Sequence, residues 1–136
     1  DPQTEAGAKF SIPHAVASAL AFEYVGMAAF EPPAVDNPVL RRLRERVSYD
    51  VDPSVPRGSY EVTVAVETRD GESYSRTEDT PPASPADPLP DVELAAKFVE
   101  CATRTIREAD ARAAYEQLDS LRSCGDVGDV VRTLST

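Results

Sequence analysis

The chain has 136 residues, 41% of them hydrophobic, enough for one modest core and too few for a large multidomain enzyme. Its 24 acidic against 14 basic residues give a net charge of −10, which argues against a nucleic-acid backbone or an anionic membrane as the main partner. No apolar run of about 18 residues and no basic-then-apolar leader is present, so a soluble, cytoplasmic protein is expected. The sequence opens at Asp1 without a methionine, as a chain cut from a longer one would.

The first predicted element carries the only histidine of the sequence. In Lys9-Phe10-Ser11-Ile12-Pro13-His14-Ala15-Val16-Ala17, Ser11 is a good N-cap and Pro13 suits the first helical turn, and the alanines that follow favour propagation. A helix is expected from Pro13 to about Tyr24. His14 then lies at the positive end of that helix, among unpaired N–H groups, where a neutral imidazole beside a bound carboxylate is physically sensible. Taken alone, the residues favour a histidine that only hydrogen-bonds locally.

Gly26 and Glu31-Pro32-Pro33 break the pattern, and Asp36-Asn37-Pro38 starts a second helix with Val39, Leu40, Leu43 and Val47 at helical spacing. Arg41, Arg42, Arg44, Glu45 and Arg46 read as its solvated face. Val47, Tyr49 and Val51 alternate with polar residues and predict a short strand. Tyr60, Val62, Val64 and Val66 predict a stronger one, joined through Arg69-Asp70-Gly71 to Ser73–Arg76 as an antiparallel hairpin with half-buried tyrosines Tyr60 and Tyr74. Asp79 to Pro90 is a proline-rich connection. Three helical patterns finish the chain. The first, capped by Asp91, sets Leu94, Phe98, Cys101, Ala102 and Ile106 on one face; the second centres on Ala114, Leu118 and Leu121, and the third on Val127, Val130, Val131 and Leu134. Strands and helices kept in separate runs predict an α+β fold: a helix pair, a small antiparallel sheet, then C-terminal helices.

Cys101 and Cys124 form neither a disulfide framework nor a Cys/His cluster, so reduced thiols and no metal site are expected. Phosphate-cradling glycine loops, a serine-hydrolase elbow, HExxH and a calcium loop do not occur. Acidic pairs such as Glu78-Asp79 are expected by chance in so acidic a chain.

The segment Glu5-Ala6-Gly7-Ala8-Lys9-Phe10-Ser11-Ile12-Pro13-His14-Ala15-Val16-Ala17 resembles the signature that begins the C-terminal part of the MmgE/PrpD (2-methylcitrate dehydratase-like) family. Asp36-Asn37-Pro38, the Val62 to Gly71 hairpin, Pro88-Leu89, Glu93–Phe98 and the terminal apolar positions follow in matching order. The resemblance implies a lid-like α+β domain over residues 1–87 and, over 88–136, helices that pack back on a helical body. It also implies a cofactor-independent enzyme acting on small di- or tricarboxylates by proton transfer beside a carboxylate: dehydration of methylcitrate-like acids, or decarboxylation of a cis-aconitate or epimerisation of an iminodicarboxylate. His14 occupies a position that is commonly tyrosine or histidine and faces the active site, which makes it the implied catalytic residue. Lys9 and Ser11 are the implied substrate-binding residues. The large N-terminal helical half of that family is not among these 136 residues, so the isolated chain is expected to be inactive. Completion by that half or a partner subunit, and self-association through uncovered apolar faces, are expected. A lid-derived binding or assembly module without catalysis, or the small subunit of a split enzyme, are the alternatives.

Overall fold

A computed structural model describes residues 1–22, 24–123 and 125–134. Among these the fold is α+β, with one two-stranded antiparallel sheet between helical stretches. The chain divides into two compact units, one of Asp1–Tyr49 with Ala95–Thr136 and one of Asp50–Leu94.

The first unit opens with α1 (Glu5–Lys9), a short helix that the sequence reading did not anticipate. Thr4 caps it, its hydroxyl accepting from the Gly7 N–H at 3.0 Å. Helix α2 (Ile12–Ala21) begins at the expected cap, with Ser11 Oγ accepting from the His14 N–H at 3.2 Å. It ends three residues before Tyr24, where the Phe22 N–H closes the last turn on Ser18 O. A 3₁₀ turn (Met27–Phe30) and α3 (Pro32–Val35) follow; the Pro32-Pro33 pair expected to interrupt helix instead starts one, since proline fits a first turn whose N–H groups have no partner. Helix α4 (Pro38–Arg44) is capped by Asn37, whose Oδ1 accepts from Val39 N–H at 2.8 Å. Helices α2 and α4 pack together around a small core of Ala17, Ala34 and Leu40, with Leu43 at its edge.

The strand expected at Val47–Val51 does not form. The Arg46 and Val47 N–H groups fold back onto Leu43 O and Arg44 O at 3.0 and 3.1 Å, extending the helix exit, and among the described residues the only sheet is the two-stranded one further on. Helix α5 (Asp91–Ala102), which belongs to this unit from Ala95 onward, stops short of Ile106. Thr103 and Thr105 turn their hydroxyls onto Glu100 O and Ala102 O, the backbone competition by which threonine weakens a helix end. The half-buried face of this helix is Ala95, Phe98, Val99 and Ala102, rotated from the expected one, so that Leu94 and Cys101 are exposed. Phe98 lies 5.6 Å from the Tyr115 ring of α6 (Glu108–Asp119). After a 3₁₀ turn at Leu121–Ser123, α6 packs on α7 (Val127–Leu134), where Ala111, Ala114 and Val130 are buried. Cys124 lies outside the described residues.

In the second unit, β1 (Val62–Glu67) pairs with β2 (Ser73–Glu78) in the register Val62↔Glu78, Val64↔Arg76 and Val66↔Tyr74. The loop turns at Gly71, whose φ of 90° only glycine adopts without strain. Burial does not alternate along either strand: only Val66 is half-buried, and Tyr60 and Tyr74 are exposed rather than packed. No described helix is long and apolar enough to cross a membrane.

Candidate active site at the start of α2

Two consequences of the local sequence place His14. Capping by Ser11 fixes where α2 begins, and the apolar stripe that turns Ala17 into the core turns His14 and Ser18 the same way, one turn apart. The imidazole is fully buried. Its Nε2 lies 2.7 Å from the carbonyl oxygen of Ala29 in the 3₁₀ turn, and its Nδ1 lies 3.1 Å from Arg44 Nη1 at the end of α4. The Phe30 ring stands 5.8 Å away, tilted by 52°.

A carbonyl can only accept and a guanidinium can only donate, so the ring carries its proton on Nε2 and offers a lone pair at Nδ1. Arg44 is itself buried and is held from two further directions. Its Nε–H donates to Asp1 Oδ1 at 2.7 Å, and Nη1 also donates to Val35 O at 3.1 Å. Its Nη2 is buried without a partner among the described residues, as is Ser18 Oγ. Burial, then the neighbouring Arg41 charge, push the guanidinium below its ordinary value, while Asp36 and Glu45 oppose this.

A surface cleft of about 280 Å³ lies over this network, lined by Asp1, Pro2, Ser11, Pro13, Arg44 and Glu45. Its size suits a molecule of a few heavy atoms rather than a nucleotide. Ser11 thus reaches both the cleft and the start of α2. Lys9 is exposed at the last turn of α1 and lies neither in the cleft lining nor in the His14 network. Among the described residues no three His, Cys, Asp or Glu side chains gather as a metal site would require.

Arg44 is the residue that sequence reasoning assigned wrongly, to a solvated arginine face. A signal was present: Arg44 follows Leu40 by four positions and so shares the face on which α4 buries its leucines. The run of arginines around it hid that periodicity.

A sequence model of the MmgE/PrpD C-terminal domain matches residues 1–122. A search of curated proteins found no match.

Proposed function

The chain belongs to the MmgE/PrpD family through its C-terminal domain, and on that premise we propose that it is the C-terminal part of a cofactor-independent lyase acting on small di- or tricarboxylates. The reaction is dehydration of a methylcitrate- or citrate-type acid, by proton transfer at the carbon beside a carboxylate. The observation that carries this reading is the coincidence of the family match with a single buried imidazole at the matched segment, set beside a cleft of small-metabolite size. Chemistry of this kind needs a group that exchanges a proton near carbon and donors that hold the carboxylates.

His14 is the catalytic residue in this proposal. Its Nε2–H stays on the neutral ring and donates a hydrogen bond to a substrate oxygen on which negative charge develops, in the place that the Ala29 carbonyl takes here. Ser11 and the start of α2 hold a carboxylate, and Lys9 supplies a second positive contact from outside the cleft. The remaining groups come from a helical half or a partner subunit, and the chain alone has no turnover. Large exposed side chains such as Phe10, 91% exposed beside the site, support a covering partner or a second copy.

The test joins the chain to the helical half and follows product formation and substrate proton exchange with methylcitrate, citrate and cis-aconitate. His14→Ala is expected to lower kcat by about 100-fold or more, the usual loss when one donor to a developing oxyanion is removed. Unchanged turnover removes His14 from the mechanism.

A second reading, a lid-derived module for binding or assembly, is favoured by one feature of the same ring: both nitrogens are already satisfied inside the protein. It expects His14→Ala to lower stability while leaving partner capture intact.

A further inference from the structure

We propose that Arg44 is the positioning residue of His14, fixing the imidazole as its Nε2–H tautomer and setting the direction in which that proton points; its catalytic consequence rests on the lyase reading above.

Three observations carry the inference. The two groups facing the ring are of opposite kind, a carbonyl oxygen at 2.7 Å from Nε2 and a guanidinium nitrogen at 3.1 Å from Nδ1. The other tautomer would turn an N–H toward the guanidinium hydrogens and a lone pair toward the carbonyl, and the ring is fully buried, with no water contact to relieve either clash. Arg44 is also not free to follow the ring. Asp1 Oδ1 at Nε and Val35 O at Nη1 hold the guanidinium in place from α4, so the fixed partner is the arginine and the oriented one is the imidazole. An arginine suits this task because its planar fork directs several N–H groups at once from one rigid plane; a lysine ammonium offers no such plane.

The arrangement divides the labour of the ring. Nδ1 is committed to Arg44 and cannot accept a proton from a substrate without expelling the guanidinium. Nε2 is left as a donor. His14 therefore acts through one nitrogen and in one sense, with Arg44 behind it as the group that keeps it so.

The sequence has one histidine, which makes the test direct, because a ¹⁵N-labelled chain shows a single imidazole. Long-range ¹H–¹⁵N spectra at neutral pH should show one tautomer, with pyrrole-type Nε2 and pyridine-type Nδ1, and a ¹⁵N–¹⁵N coupling from Arg44 Nη1 to His14 Nδ1 across their hydrogen bond. Arg44→Met, which retains length and burial but no donor, should shift Nδ1 strongly and admit the second tautomer. A native Nδ1–H tautomer or imidazolium, or ring signals unchanged in Arg44→Met, would overturn the proposal. If Arg44→Met does not fold, the native coupling decides, and its absence is equally fatal. With the helical half joined, Arg44→Met should lower kcat about tenfold with KM nearly unchanged, the pattern of a lost transition-state contact. Full turnover by His14→Ala would instead remove the lyase role of His14 and leave the tautomer result standing.

Discussion

Leu40 and Arg44 share one face of α4 and show what a single position in a small core can decide. Leu40 is fully buried, and its neighbours Ala17 and Ala34 are too small to fill a space it vacates. Leu40→Ala should therefore destabilise the protein by about 2 kcal/mol or more, since lost transfer energy and a residual cavity add. A urea titration measures this; a midpoint equal to the native one would mean that the core collapses freely around the deletion. Four residues on, Arg44 takes the same inward direction but satisfies three of its N–H groups with Asp1, Val35 and His14. The cap at Ser11 and the place of His14 in the first turn of α2 were legible because capping and helical spacing are local. The buried cation was not: its spacing from Leu40 was masked by the arginines around it, and its partners lie 9, 30 and 43 residues away in sequence.

The elements divide along the same line. The hairpin was legible from alternation and Asp70-Gly71, and its turn is held by Thr68, whose hydroxyl donates to the Asp70 carboxylate and accepts from the Glu72 N–H. That hydroxyl is the leading cause of an Asp70 pKa below its ordinary 3.8. A carboxyl depressed in the folded state contributes stability that is fully present above the unfolded value and is lost as pH falls through the folded one. Thr68→Val should move the Asp70 midpoint up toward 3.8, as a carboxyl-detected NMR titration reads it. A midpoint that stays at its native position would assign the depression to something else. The link between the segment after α2 and α5 was not legible, since it is tertiary. Glu100 on α5 accepts from the Tyr24 hydroxyl at 2.9 Å and the Met27 N–H at 2.7 Å. Gly26 leaves room for that carboxylate, because a Cβ there would stand 2.2 Å from Glu100 Oε1.

For the whole molecule, the fold class followed from the separation of strand and helix signals, and the first compact unit joins residues 1–49 to 95–136 across the hairpin segment. Stability is distributed accordingly. Helices α2 and α4 share a buried core, while the two-stranded hairpin is exposed almost throughout and, as an isolated pair of strands, is marginal. Amide hydrogen exchange should resolve two tiers, slow in α2 and α4 and faster in β1 and β2 by at least about tenfold; uniform protection would mean that the chain unfolds as a single cooperative unit. The His14 and Arg44 couple has a different kind of reach. Each residue answers a polar group of the other inside the protein, so neither can drift alone without stranding its mate. Descent should therefore keep or exchange them together: a lineage that turns position 14 into leucine loses the lone pair that Arg44 needs, and position 44 is then released to become one more core residue of α4.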